Sequence, residues 1–272
     1  MNSREQSNHT GKYTLITGGT QGIGYELARV FAENGHNLIL VARHEVELFN
    51  TATELQEQYG VQVITIPTDL FVFENAFKLY EEVKGKGLEV NILINDAGQG
   101  QYGKFIDNDI YRYLDIIQLN IASLTVLTHL FLKDMVASGT GKILNLSSIA
   151  GTVPGPYQAI YHATKAFVQS FTIAVRDEVR DSGVTLTALL PGATDTDFFN
   201  KAEMNDSKVV QEGNMYDPAD VAKDGYDALM AGKDMVISGF KNKVQVTMSN
   251  LMSDSRNAAT MREQQKPAHG DE

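Results

Sequence analysis

From residue 13 to residue 238, short apolar runs alternate with stretches whose apolar residues recur at helical spacing. No other feature restricts the fold as much. Tyr13–Thr17, Asn37–Ala42, Val61–Ile66, Asn91–Asn95, Gly141–Ser147, Val184–Leu190 and Met235–Ser238 read as seven strands. Between them, Ile23, Leu27, Val30 and Phe31 form one helical stripe, Leu48, Ala52, Leu55 and Tyr59 a second, and Phe73, Ala76, Phe77, Tyr80 and Val83 a third. Gly35 and Gly60 supply helix stops. Asp217-Pro218-Ala219-Asp220 is a helix start, with a capping carboxylate and proline in the first turn. Continuously apolar strands, each followed by an amphipathic helix, predict an α/β fold: a doubly wound parallel sheet of about seven strands with helices on both faces.

Nothing within this stretch reads as a linker. The expectation is a polar tail over 1–12, a single domain over 13–252, and a polar tail over 253–272. The 272 residues include no cysteine, which excludes disulfides, thiolate nucleophiles and thiolate metal sites. A net charge of −11 disfavours general binding to nucleic acid or an anionic membrane. The polar start carries no signal-peptide pattern, and the longest apolar stretch, near Leu114–Leu132, is broken by Asp115, Gln118, Asn120 and His129. A cytoplasmic location is the default expectation. The six histidines form no H-E-x-x-H pair, no G-x-S-x-G elbow is present, and Asp195 with Asp197 are too few carboxylates for a cation, so no metal is expected.

The first strand runs into Thr17-Gly18-Gly19-Thr20-Gln21-Gly22-Ile23-Gly24, directly ahead of a helix. In a doubly wound sheet this turn lies at the carboxyl end of the strand, where ligands bind. Glycines let the backbone approach a pyrophosphate, and the helix presents N–H groups and its positive dipole end. The spacing is G-x-x-x-G-x-G, and a plain tight turn is the competing account. The second strand ends at Ala42-Arg43. An acidic residue there would favour a free ribose 2′-hydroxyl, whereas Arg43 suits a 2′-phosphate. It could equally be an ordinary surface arginine.

Tyr161 and Lys165 stand four apart on a helix predicted to begin near Pro156, which places them on one face. Ser148 lies thirteen residues before Tyr161, just past a strand, and Asn120 interrupts a mostly apolar helix. The glycine turn, Asn95-Asp96-Ala97-Gly98, Asn120, Ser148, Tyr161-x-x-x-Lys165 and Pro191-Gly192 occur in the order of the short-chain dehydrogenase/reductase family. The chain resembles that family over about residues 12–238, and its glycine turn and Arg43 resemble the NADP-preferring branch, with NAD still open. Asp96 departs from the family's usual Asn-Asn-Ala-Gly.

The resemblance implies a Rossmann-like fold and an oxidoreductase acting on a carbonyl or secondary alcohol. It makes Tyr161 the general acid or base, Lys165 its electrostatic partner and holder of the nicotinamide ribose, Ser148 a hydrogen-bond donor to the substrate oxygen, and Asn120 the holder of a water linking Lys165 to solvent. Cofactor contacts are expected from Gly18, Thr20, Gln21, Gly22, Ile23, Gly24, Arg43, Asp69, Leu70, Asn95, Ala97, Gly98, Tyr161, Lys165, Pro191, Gly192, Thr194 and Thr196. Asp69 would meet the adenine; a capping carboxylate is the alternative. The chemistry fits these residue types: a free phenol has a pKa near 10, and a nearby ammonium would lower it toward useful proton exchange. A sensor that kept the fold without catalysis, and a fold-related epimerase or dehydratase, are the rival readings.

Residues 193–215 carry Phe198, Phe199, Met204 and Met215, an apolar lid for a substrate with hydrocarbon or aromatic bulk, or a loop pinned to the domain. Tyr157, together with Gln101 and Tyr102, is expected beside the same pocket, so the substrate set is Ser148, Tyr157, Tyr161, Phe198 and Phe199. Val244, Val246, Met248, Leu251 and Met252 form an arm for the pocket or for a neighbour. The region 110–136 is apolar on several sides, and Phe167 and Phe171 follow Tyr161 on its helix; a homodimer or homotetramer interface is expected there.

Overall fold

The computed structural model describes residues 11–211 and 215–267. Seven parallel strands, β1 (Lys12–Thr17), β2 (Asn37–Ala42), β3 (Val63–Pro67), β4 (Glu89–Asn95), β5 (Gly141–Leu146), β6 (Val184–Leu190) and β7 (Met235–Ile237), lie in the order β3-β2-β1-β4-β5-β6-β7. Strand order reverses between β1 and β4, and ligands of such sheets bind at this switch. Successive residues point to opposite faces, so each strand feeds two cores. Ile16, Leu40, Ile94 and Leu144 pack under α1 (Gly22–Glu33), α2 (Glu45–Tyr59) and α9 (Pro218–Met230). Leu15, Ile39, Leu93 and Ile143 pack under α3 (Glu74–Gly85) and α5 (Leu124–Ser138) on the other face. The expected α/β architecture, doubly wound and covered on both faces, is the observed one.

Local signals act as their chemistry dictates. Asp217 accepts from the Ala219 amide at 2.8 Å and starts α9. Gly60 closes α2 in the left-handed conformation. α6 (Ala159–Glu178) begins three residues later than Pro156, because Tyr157 adopts φ +66° and breaks the first turn. α4 (Ile110–Ile117), a π-helical turn (Gln118–Ser123) and α5 form one helical stretch, Ile110–Ser138, long and apolar enough by length and composition to cross a membrane. The interrupting polar residues hid that property from the sequence reading. Here Leu127, Phe131 and Met135 are buried in the core of the second face.

The chain's last segment requires a correction. Residues 253–272 were expected to be a polar tail, but Asp254–Gln265 forms a helix, α11, following α10 (Phe240–Ser249). Polar composition concealed it because its only buried residues, Asn257 and Gln265, are themselves polar. Pro267 also bridges to Ser207 beside the short lid helix α8 (Lys208–Gln211). Residues 1–10 of the expected N-terminal tail, 212–214 of the expected lid and 268–272 of the C-terminal tail lie outside the described residues.

Candidate active site

A cleft of about 1450 Å³ opens over the carboxyl ends of the strands. One end is the glycine turn. Gly22 adopts φ +55°, a conformation that disfavours side chains, and a Cβ on Gly24 would stand 2.3 Å from the Gly18 carbonyl oxygen. No side chain caps the start of α1, so its first N–H groups remain available to an anion. Gly18, Thr20, Gln21, Gly22 and Ile23 line the cleft, whereas Gly24 packs behind the turn. Arg43 also lines it, exposed at the end of β2, with its guanidinium 5.0 Å from the centroid of the Phe71 ring.

Thr17 organises the β4 exit. Its Oγ1 accepts from the amides of Asp96 (3.2 Å) and Ala97 (3.1 Å). Ala97 and Gly98 line the cleft, as does Leu70. Asn95 does not: it is buried and donates to Thr128 and Asn145, tying β4 to α5 and β5. Asp69 does not line the cleft either. Its Oδ1 accepts from the Phe71 amide at 3.1 Å, the local cap that was its alternative role, leaving Thr68, Leu70 and Phe71 along the wall. Neither residue lines the cleft, and each makes a structural hydrogen bond instead.

Ser148, Tyr161 and Lys165 meet on the cleft floor. Ser148 ends the β5 exit, where its Oγ accepts from the Ala150 amide at 3.1 Å and donates to the Pro191 carbonyl at 3.3 Å. Lys165 is buried and donates to the Leu146 carbonyl at 2.8 Å, and the neighbouring Ser147 donates to the Lys165 carbonyl at 2.7 Å. Burial pushes the Lys165 ammonium down to about 8, with the Asp96 carboxylate opposing that fall. Burial likewise pushes the Tyr161 phenol up to about 12; Ser148 acts against the rise as a hydrogen-bond partner, and Asp96 adds to it. The expected lowering of the phenol by Lys165 is not what this geometry produces. The ammonium is 5.7 Å from the centroid of the Tyr161 ring and turned to a carbonyl, while the carboxylate of Asp96 acts in the opposite sense.

Asn120 sits on the π-helical turn, a geometry that often marks functional positions. Its Oδ1 accepts from the Gln99 amide at 3.0 Å, and its Nδ2 donates to the Gln99 carbonyl at 2.8 Å and to Thr164 at 3.0 Å. Both donors of the amide are thus used by protein, so Asn120 pins the loop after β4 from behind the cleft wall.

Pro191, Gly192, Thr194 and Thr196 line the cleft beyond β6. Thr194 donates to the Gly192 carbonyl, and Thr196 accepts from the Phe198 amide. The lid helix α7 (Phe198–Lys201) folds over the floor, and the Phe198 ring lies 4.9 Å from the Tyr161 ring. Lys201 reaches the glycine turn, donating to Gln21 at 2.6 Å. Phe199, Met204 and Met215 complete this apolar wall. Tyr157 is corrected: its left-handed backbone sends the ring onto Tyr102 (5.7 Å, stacked), outside the cleft lining. Gln101 and Tyr102 are outside it too; Gln101 donates to Glu203 at 2.8 Å and Tyr102 to the Gln265 carbonyl.

The opposite wall is the part that sequence reasoning saw least. Val244, Val246, Met248 and Met252 of the expected arm line the cleft, joined by Phe240, Met261, Gln264 and Gln265; Leu251 is exposed. The i, i+4 series Phe240, Val244, Met248, Met252 was the available signal for α10. For α11 there was almost none. Among the described residues no group of three His, Asp or Glu side chains converges as a metal site would require.

The chain matches the family model described as short chain dehydrogenase over residues 12–207. It is 35% identical over 193 residues to a very-long-chain 3-oxoacyl-CoA reductase of Laccaria bicolor, covering 69% of this chain and 56% of that protein. The chain thus spans little more than half the length of the curated relatives it matches. Among solved structures it is similar to a short-chain dehydrogenase from Sphingobium yanoikuyae in complex with NADPH (30% identity, TM-score 0.79, covering 89% of this chain and 96% of that one). It is also similar to the bulky-bulky ketone specific alcohol dehydrogenase from Comamonas testosteroni (25% identity, TM-score 0.74, covering 95% and 96%). The chain belongs to the short-chain dehydrogenase/reductase family, a family of oxidoreductases.

Proposed function

We propose that the protein is an NADP(H)-dependent oxidoreductase that interconverts a carbonyl and a secondary alcohol on a substrate with apolar bulk. The observation that carries this reading is the convergence of Ser148, Tyr161 and Lys165 on the floor of one cleft whose far end is an uncapped, glycine-lined helix start. The residues present fit a dinucleotide. Gly18 and Gly22 leave no room for side chains at the turn, the α1 amides are available, and Arg43 offers a cation at the end of β2 for a 2′-phosphate. When bound, the nicotinamide supplies or accepts the hydride.

The chain's own groups handle the proton. Burial keeps the Tyr161 phenol protonated across neutral pH, which suits it as proton donor to a carbonyl being reduced. Ser148 is placed to donate to the same substrate oxygen and stabilise developing negative charge. Lys165 brings positive charge beside the phenol once Tyr161 has given up its proton, which limits the cost of the buried phenolate. Phe198 packs against the phenol ring, with ring centroids 4.9 Å apart.

Apolar bulk in the substrate is supported by the methionine- and phenylalanine-rich walls and by the relatives' names, one acting on very-long-chain 3-oxoacyl-CoA and one on bulky ketones. A cofactor-oxidation assay with NADPH and NADH against a panel of small, bulky and long-chain ketones tests the reading. Turnover of bulky ketones with NADPH is expected; no turnover of any carbonyl overturns it. A homodimer in which α4 and α6 face their copies is part of the proposal, supported by the exposed side chains of Ile110, Tyr111, Leu114 and Phe167.

A further inference from the structure

Asp96 stands where this chain departs from its family's pattern, and its surroundings are unusual for a carboxylate. Its Oδ1 is buried without a hydrogen-bond partner, and the rest of the residue borders the cleft. Its Oδ2 faces the glycine turn. The point where a Cβ on Gly24 would stand is 2.4 Å from Asp96 Oδ2 and 2.3 Å from the Gly18 carbonyl oxygen, so two acceptors confront one another across that glycine. From α6 the carboxylate is faced by Lys165 and, through its Coulombic effect, by Tyr161. From β1 and the turn it is faced by Thr17, Gly18 and Gly24, none of which titrates. An ionised carboxylate can only accept, so the carboxylate has no donor toward the Gly18 carbonyl unless it carries a proton itself.

We propose that Asp96 is the proton acceptor of cofactor binding: its carboxylate takes one proton from solvent when the anionic dinucleotide enters the glycine turn, and the resulting acid donates to the Gly18 carbonyl. The inference rests on the dinucleotide reading above. Bringing further negative charge into a low-dielectric cleft beside a carboxylate is unfavourable, and protonation relieves it. Burial already holds this acid at about 7, with Lys165 opposing, so the uptake is accessible at neutral pH. A bound proton must appear in the pH dependence of affinity: NADPH binding by wild type weakens by up to tenfold per pH unit above about 7.

Isotope-edited infrared difference spectra of the full chain, with 13C-labelled aspartate, read the proton directly. On adding NADPH at pH 7.5, a carboxylic-acid carbonyl band should appear and shift with the label. It should be absent in Asp96→Asn, and calorimetry in two buffers of different ionisation enthalpy should show proton uptake by wild type. NADPH binding with no such band and no uptake overturns the proposal while leaving the dinucleotide reading intact. A band that survives in Asp96→Asn also overturns it. Absence of NADPH binding by the wild type overturns both readings. The wild-type spectrum decides even if a variant fails to fold.

Discussion

Gln265 of the last helix lies 3.0 Å from His162 Nε2, one residue beyond Tyr161. The other ring nitrogen, Nδ1, is 2.8 Å from the Val153 carbonyl. A carbonyl only accepts, so Nδ1 carries the hydrogen, Nε2 offers a lone pair, and the Gln265 amide donates to it. Burial pushes the His162 pKa below its ordinary value, in keeping with a neutral ring. Helix α11 is therefore fastened to the helix that carries Tyr161 and Lys165. Gln265→Leu removes the donor at a cost of about 1–2 kcal/mol. We expect KM for a bulky ketone to rise several-fold while kcat changes less than about twofold, as loosened binding without altered chemistry requires. Steady-state kinetics check this, and a fall in kcat alone would contradict it.

Tyr161→Phe keeps the ring beside Phe198 and removes the proton. Turnover should fall by roughly 10²–10⁴-fold, the range for losing a general acid. NADPH affinity, read by fluorescence, should stay within about threefold. Full activity in this variant would remove the phenol from the chemistry.

Arg43→Asp exchanges the cation at the end of β2 for a carboxylate. Charge-assisted contacts to phosphate are worth about 1.5–3 kcal/mol, so the NADPH/NADH ratio of kcat/KM should drop by at least about tenfold. An unchanged ratio would assign the guanidinium to its stacking on Phe71 alone.

The unliganded protein should show a second signature of Asp96. Its pKa in the fold, about 7, lies above its ordinary value, so the folded state holds the proton more tightly than the unfolded chain. The associated stabilisation is complete below about pH 4 and is lost as pH rises through 7. Asp96→Asn cannot titrate. Relative to wild type it should gain stability between pH 4 and 8, roughly 4 kcal/mol by pH 8, because a pKa near 7 already contains the Lys165 attraction. Thermal melts across that range decide it; a pH-independent difference would contradict the assignment.

Leu114 and Phe167 are exposed on α4 and α6, and the Phe167 ring stacks on Phe171 at 5.6 Å. Leu114→Asp combined with Phe167→Asp places charge on that face. Sedimentation at micromolar concentration should show a dimer for wild type and a monomer for the double variant. A wild-type monomer would refute the interface.

The sheet was readable because every strand has neighbours on both faces and so must be apolar throughout; β2 and β6 were legible to the residue. The Ser148, Tyr161 and Lys165 positions were readable because chemistry restricts residue type and spacing together. Asp69, Asn95 and Tyr157 were misplaced for a shared reason. Whether a side chain lines a cleft or is held by a neighbour depends on one dihedral or one local partner, such as the Phe71 amide that donates to Asp69. α11 was invisible because its few anchors, Gln265 and Asn257, are polar, and amphipathic periodicity detects only apolar ones. The direction in which Asp96 moves Tyr161 likewise needed three-dimensional proximity between residues 65 positions apart.

The two walls over the phenol come from separate segments of the last third of the chain: Phe198 to Met204 on one side, Phe240 to Gln265 on the other. The glycine turn precedes both, as do Ser148, Tyr161 and Lys165. A ribosome making this protein completes the glycine turn and the Ser148, Tyr161 and Lys165 positions before it has synthesised either wall. Natural variation confined to these two segments would therefore reshape the chamber while leaving the glycine turn and those three side chains untouched.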